Sequence, residues 1–247
     1  MDNPGYIILS RLTLQSRATQ VLANNVANAD TPGFRAERAV FGAVVARQAA
    51  AGLPPGARET AFVQDRATWR EMQPGSMQVT GNPLDLALTG EGFFAVQTPA
   101  GERFTRAGRF TIGDGGRIVD MEGAPLLNTS GTPIAVAPND SRIEVAGDGT
   151  IRSENGVLGQ VRVVRFADPQ ALMAEGDRHF DAAGAQPEPV ERPGIRQGVV
   201  EGSNVRPVLE MTRLTAELRE FQFAAQFAER EGERLSTAVE RILRRRT

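Results

Sequence analysis

The sequence predicts an α+β protein: N- and C-terminal helices packed as a coiled-coil-like domain, with an antiparallel, mainly-β central domain inserted between them. Three observations carry this. Tyr6 to Ala29 contains no Pro or Gly and holds apolar residues at helical spacing. Beyond Pro207 there is no further Pro, and apolar residues recur three and four apart as far as Ile242. Between these ends, short apolar or alternating runs recur between turn residues from Asn82 to Phe166, the pattern of strands and hairpins.

The N-terminal segment, 1–35, is read as one helix and its exit. Ile8, Leu12, Leu22 and Val26 fall on one face, which Gln15 and Thr19 interrupt. The helix stops in Asn24-Asn25-Val26-Ala27-Asn28-Ala29-Asp30-Thr31-Pro32-Gly33-Phe34. Asn amides compete for the backbone, Thr before Pro leaves the α region, and Gly permits a sharp turn. The plain reading is a polar, frayed helix end. The sharper one makes Asn24, Asn25 and Asn28 packing residues, because amides at helical intervals specify register between helices.

An extended connector is expected over 36–81, where Pro54-Pro55-Gly56 and Gln73-Pro74-Gly75 bracket a poorly periodic stretch containing Trp69. The β domain, 82–185, has expected strands at Leu84–Leu88, Phe93–Gln97, Phe110–Ile112, Arg117–Val119, Ile134–Val136, Ile143–Val145 and Gly159–Phe166. Pro99-Ala100-Gly101, Gly113-Asp114-Gly115-Gly116 and Gly147-Asp148-Gly149 punctuate them as turns. Gln186-Pro187-Glu188-Pro189 and Arg192-Pro193-Gly194 mark a return connector, 186–203.

The C-terminal segment, 204–247, is a long helix with a seam of Met211, Leu214, Leu218, Phe221, Ala225, Ala228, Gly232, Leu235, Val239 and Ile242. From Val208 to Leu243 it would run roughly 54 Å, longer than a compact domain of this size. Its larger seam side chains offer on the order of 10 to 20 kcal/mol to whatever covers them. Ala225, Ala228 and Gly232 allow close backbone approach there. Arg244-Arg245-Arg246 is read as cations at a helix C-terminus.

Composition narrows the function. The chain has 247 residues and 40% hydrophobic content, enough for a sizeable core. All 28 basic residues are Arg and net charge is −2, so no global field favours nucleic acid. With no Cys, disulfides and thiolate chemistry are excluded. The first residues lack a basic n-region, and Ile7-Ile8-Leu9 is too short for a signal peptide or membrane span. Gly90-Glu91-Gly92-Phe93-Phe94-Ala95 formally fits a dinucleotide fingerprint, but it runs into a strand and not a helix. His179, between Asp177 and Asp181, lacks a nucleophile elbow and reads as a polar-turn residue. The glycine-aspartate turns lack the spaced carboxylates of a calcium loop. No catalytic, cofactor-binding or metal residue is assigned, and an enzyme is not expected.

Three ordered blocks carry a family likeness. Ala23 to Phe34 resembles the N-terminal signature of the axial proteins of the bacterial flagellum, the rod and hook family. Asn82-Pro83-Leu84-Asp85-Leu86-Ala87-Leu88-Thr89-Gly90-Glu91-Gly92-Phe93-Phe94-Ala95-Val96 with Phe104-Thr105-Arg106-Ala107-Gly108-Arg109-Phe110 resembles the start of that family's β domain. Gly198-Val199-Val200-Glu201-Gly202-Ser203-Asn204-Val205 resembles the segment introducing its C-terminal helix. Length and these motifs look most like the proximal-rod members, with distal-rod members the alternative. The resemblance implies a structural subunit of the periplasmic drive shaft, polymerising through terminal helices and transmitting torque to the hook. It implies other proximal and distal rod subunits and further copies of the chain as partners, with the surrounding ring proteins as neighbours. It also implies export without a cleaved signal peptide, and neither a nucleic acid nor a small-molecule substrate. The alternative from another class is a secreted coiled-coil adhesin or binding module.

Overall fold

The computed structural model describes residues 4–47, 59–176 and 178–244; the side chains of 4–8, 41–47, 59–67, 235, 238, 239, 242 and 243 lie outside what it describes. The chain divides into two compact units, Met1–Ala27 with Glu37–Trp69 and Arg206–Thr247, and Asn28–Ala36 with Arg70–Val205. An N-terminal helix, a mainly antiparallel β region and a C-terminal helix make the α+β architecture the sequence predicts.

The first unit contains α1 (Pro4–Ala27), β1 (Glu37–Arg47), β2 (Glu59–Arg70) and α2 (Pro207–Arg244). The helices pack against each other, and β1 also packs against α1. Both helices match the Pro- and Gly-poor stretches in the sequence; Pro207, at the first position of α2, loses no hydrogen bond there. Where an extended connector was expected, β1 and β2 pair as a two-stranded sheet. Ala39 to Ala46 in β1 is an unbroken run of small and apolar residues containing Val40, Val44 and Val45, which suits a strand but shows no alternation that would mark one. The Pro54-Pro55-Gly56 turn lies outside the described residues.

The second unit begins with β3 (Met77–Val79), β4 (Leu86–Leu88), β5 (Phe93–Thr98), β6 (Gly101–Thr105), β7 (Phe110–Ile112), β8 (Ile118–Asp120) and β9 (Ile143–Val145). It continues with β10 (Thr150–Ser153), β11 (Gly156–Gln160), β12 (Val163–Arg165), β13 (Met173–Glu175), β14 (His179–Asp181), β15 (Glu188–Pro189), β16 (Ile195–Gln197) and β17 (Val199–Glu201). A six-stranded sheet runs β13-β14-β6-β5-β12-β15, a three-stranded sheet β11-β10-β9, and β16-β4, β17-β3 and β7-β8 pair separately. The expected turns join β5 to β6, β7 to β8 and β9 to β10. Strand periodicity decides the core. Phe94 and Val96 enter a cluster with Leu86, Phe110, Ile118 and Leu126, while their neighbours Phe93 and Ala95 enter another with Phe104, Phe166 and Phe180. Edge-to-face ring pairs, Phe93 with Phe180 at 5.6 Å and Phe104 with Phe166 at 4.9 Å, add roughly 0.5–1.5 kcal/mol each beyond burial.

Three expectations in this unit differ. Gly159–Phe166, expected as one strand, is divided between the end of β11 and β12, which lie in different sheets. Ile134–Val136 is not a strand; Ile134 is held by its N–H to Leu126 O at 3.0 Å and by Ile118 N–H to its own carbonyl at 2.9 Å. The return segment 186–203 contains β15, β16 and β17, which pair with β12, β4 and β3. Strands of two or three residues have no readable period, and for β16 and β17 the hydrogen-bond partners lie more than a hundred residues away.

Candidate functional site

In the helical unit the signature amides have definite partners. Asn25 is fully buried; its Oδ1 accepts the Glu37 N–H at 2.9 Å and its Nδ2 donates to the Glu37 carbonyl at 2.8 Å. One side chain thus satisfies both backbone groups of the first residue of β1. The same Nδ2 lies 3.4 Å from Glu210 Oε2 on α2, so the residue faces a helix within its own chain. Glu210 is also fully buried and accepts from Arg38 at 2.7 and 2.9 Å and from Arg213 at 3.0 Å. Placed in the first turn of α2, its carboxylate also meets the positive end of the helix dipole. Asn28 is buried in the other unit, where its Oδ1 accepts from Thr31 Oγ1 at 3.0 Å and shapes the turn before Pro32. Asn24 is half-buried.

The buried face of α1 is not the expected one. Leu14, Val21 and Leu22 are buried together with Gln15 and Asn25, while Leu12 and Val26 are only half-buried. Gln15, expected to interrupt the stripe, sits within it and reaches Glu220 Oε2 at 3.5 Å. On α2 the half-buried positions are Leu214, Glu217, Ala224, Ala225, Ala228 and Glu231. This strip overlaps the expected seam but is rotated from it, and two of its members are Glu. Met211 is left 53% exposed, with Leu218 and Phe221 also exposed, and Gly232 faces open space. The side chains of Leu235, Val239 and Ile242 lie outside the described ones. Two residues absent from the expected seam, Phe223 and Phe227, are 71% and 59% exposed one turn apart on another face of α2. Even paired with α1, the helix leaves seven large apolar side chains exposed among the described ones, Val208 and Leu209 in its first turn together with Met211, Leu218, Phe221, Phe223 and Phe227.

In the β unit, three charges hold the 28–36 segment in place. Arg35 Nη2 lies 2.7 Å from Glu201 Oε1, Arg106 Nε lies 2.9 Å from Glu201 Oε2, and all three residues are buried. Further donors point at carbonyls: Arg35 at Gln73, Arg106 at Gly90 and Gly92 at 2.8 and 2.7 Å, while Glu201 also accepts the Gly75 N–H at 3.0 Å. The glycine run that resembled a nucleotide fingerprint therefore presents carbonyls to an Arg and leads into β5. Burial lowers the Arg35 pKa; Glu201 opposes that shift and Arg106 adds to it. Gly33 has φ +72°, donates its N–H to Glu201 O at 2.8 Å, and would place a Cβ only 2.4 Å from the backbone of Arg106 and Ala107. Asn204 closes the arrangement, accepting the Ala36 N–H at 2.7 Å and donating to the carbonyls of Glu71 and Gln73 at 2.7 and 2.9 Å. Arg35, Arg106, Glu201 and Asn204 were missed as site residues. Their spacing along the chain carries no signal, though Arg106, Glu201 and Asn204 lie in blocks that resembled the family and Arg35 directly follows one.

The titratable groups elsewhere have structural partners. His179, in β14, bonds to Asp120 Oδ2 at 2.6 Å, so its carboxylate partner comes from β8. That bond raises the imidazole pKa, burial opposes it, and the charges of Asp120, Glu122 and Glu175 add to the rise. Asp120, Glu122 and His179 offer ligand atoms within 4.8 Å of one another. Glu122, however, is paired with Arg178 at 2.8 Å, so these atoms form two ion pairs. Asp148 caps its own turn through the Thr150 N–H at 3.0 Å.

An α+β chain whose buried Asn25, Glu210, Arg35, Arg106 and Glu201 are committed to backbone groups and to each other, and whose long helix exposes an apolar surface, has the character of a structural protein. Comparison with known proteins makes that specific. Residues 6–35 match the family model described as flagella basal body rod protein, 87–153 that of the flagellar hook protein FlgE/F/G D1 domain, and 196–241 that of the flagellar basal body rod FlgEFG protein C-terminal region. The chain is 36% identical over 243 residues, 98% of each chain, to the flagellar basal-body rod protein FlgF of Caulobacter vibrioides. It is 36% identical over 228 residues, 91% of each, to FlgF of Mesorhizobium japonicum. To the rod protein FlgG of Buchnera aphidicola from Acyrthosiphon pisum it is 29% identical over 240 residues, 88% of this chain and 91% of that one. The chain belongs to the flagellar rod and hook family and is a FlgF-like rod protein. It is a structural subunit of the flagellar basal body, and its relatives are structural proteins, not enzymes. No described helix is long and apolar enough to cross a membrane.

Proposed function

We propose that the chain polymerises through its terminal helices, packed as a coiled coil, into the periplasmic part of the rod, and there transmits torque from motor to hook. The observation that carries this is the apolar surface of α2 left open after α1 has packed: Met211, Leu218, Phe221, Phe223 and Phe227 remain exposed. Burying five such side chains is worth roughly 1.5–3 kcal/mol each, a sufficient drive for lateral contacts. Leu214, Ala225 and Ala228 are half-buried on α2, which packs against α1, and Asn24, Asn25 and Asn28 hold the helix exit in the shape that presents this surface. Leu235, Val239 and Ile242 belong to the seam that the sequence predicts toward the C-terminus. The partners are further copies of the chain and other rod subunits. Identities of 36% to FlgF proteins against 29% to a FlgG protein favour the proximal rod over the distal.

The test is assembly. Leu218→Asp and Phe221→Asp place a charge in the proposed contact and are expected to abolish motility and to leave the subunit out of purified basal bodies. Circular dichroism of the purified variants, unchanged because both sites are exposed in the subunit, separates this from misfolding. Normal swimming and normal incorporation would overturn the proposal.

A further inference from the structure

We propose that Asn155-Gly156 is a self-modification site, at which the Asn side chain slowly converts to aspartate or isoaspartate, and that Asp140 is the brake on that conversion. Asn155-Gly156 is the single Asn-Gly pair of the sequence and lies at the tip of the β10–β11 hairpin. Both residues are exposed, and a Cβ at Gly156 would meet nothing within 4 Å beyond its chain neighbours. Without that Cβ, Gly156 has no side chain of its own to crowd its amide nitrogen.

The chemistry needs only water. The deprotonated Gly156 nitrogen attacks Asn155 Cγ; an N–C bond forms, the Cγ–Nδ2 bond breaks, and the nitrogen leaves as ammonia after taking up a proton. Water then opens the resulting five-membered imide at either carbonyl, giving a carboxylate with the normal or the rearranged backbone. For the ring to close, the amide must rotate so that Cγ meets the Gly156 nitrogen. Asp140 opposes that rotation: its Oδ1 accepts from Asn155 Nδ2 at 2.6 Å, a short charge-assisted bond to the group that would leave. The bond to Asn155, then that to Ser153, lowers the Asp140 pKa, so the acceptor is ionised at neutral pH.

The product reverses the local electrostatics. A carboxylate at 155 would face Asp140, deprived of its donor, and the neighbouring Glu154, which holds the Ser141 and Arg142 N–H groups at 2.7 and 3.0 Å. Like charges at this tip loosen the 137–142 loop that Asp140 and Glu154 cap.

The experiment incubates the full-length chain at mildly alkaline pH and follows the peptide carrying Asn155 by mass spectrometry, with isoaspartate assayed enzymatically. Asn128, whose Oδ1 is held by the Ser130 and Thr132 N–H groups and which precedes Thr, is the internal control. Conversion at 155 is expected to outpace that at 128 and to speed up severalfold in Asp140→Ala. Glu154→Gln loosens the same loop without touching the Asn155 amide and is expected to change the rate little. No conversion at 155 in either the wild type or Asp140→Ala would overturn the site. An unchanged rate in Asp140→Ala, or equal acceleration in Glu154→Gln, would overturn the brake.

Discussion

Replacing Glu201 by Gln keeps the shape of the side chain and removes its charge, leaving the Arg35 and Arg106 guanidiniums buried side by side without a counter-charge. Glu201 is 1% exposed and bridges the two cations at 2.7 and 2.9 Å, so water cannot substitute for it. Removing one partner of a buried ion pair costs about 3–5 kcal/mol, because the charge left behind stays desolvated. In a protein of this size each kcal/mol moves the melting temperature by ~2–4 °C, so the β unit should melt about 6–20 °C lower. The assay is thermal and urea unfolding of the purified chain, with hydrogen exchange at β5 and β8 assigning the loss to this unit. Replacing all three residues together with Met and Leu removes the unpaired charge and should cost less than Glu201→Gln alone. If Glu201→Gln unfolds within about 1 kcal/mol of the wild type, an ordinary surface-like effect, the assigned role of the triad is wrong.

Asn25→Asp sets a second carboxylate against Glu210 and removes the donor to the Glu37 carbonyl; it should destabilise the helical unit more than Asn25→Ala, whose cost is about 1–3 kcal/mol, as measured by urea titration. Gly33→Ala meets both a positive φ and backbone at 2.4 Å, and should expose the 28–36 segment to limited proteolysis. His179 has a raised folded pKa, so its contribution is fully present below the unfolded value of about 6.5 and is lost as pH rises through the folded value. Melting followed from mildly acid to mildly alkaline pH should therefore show a decline that Asp120→Asn flattens. Glu154, whose pKa is lowered to about 2 by the Ser141 and Arg142 N–H groups, contributes in the opposite sense: its capping holds above the unfolded carboxylate value and fails as pH falls toward 2, read as faster exchange at those amides.

The long elements were legible because their signals are local. A stretch without Pro or Gly between Tyr6 and Ala29, and another after Pro207 broken only by Gly232, favour helices from local sequence alone. Phe93 to Gln97 and its Pro-Ala-Gly turn likewise marked a hairpin. The contact faces were not legible. The face of α1 was read from Ile8, Leu12, Leu22 and Val26, whereas the structure buries Leu22 together with Leu14, Val21 and the polar Gln15 and Asn25 and leaves Leu12 and Val26 half-buried. Hydrophobicity alone cannot find a face built partly of amides, whose burial is tolerable only because particular partners, Glu37 and Glu210, stand opposite. β16 and β17 were read as a connector for a related reason: three residues cannot show a period.

By itself the sequence determined the order of elements, the absence of thiol chemistry and, through three motif blocks, the family. Only the tertiary structure decided what those motifs do. Asn25 and Gly33 lie in one block and Arg35 directly after it, Arg106 in the second, and Glu201 and Asn204 in the third, with no spacing that announces a relation. Folding brings Arg35, Arg106 and Glu201 within hydrogen-bonding distance, and low dielectric then makes each dependent on the others. The signature that looked like a helix stop is therefore also a set of plugs for distant backbone and charge, because buried polar groups must be satisfied by whatever residue the fold brings to them.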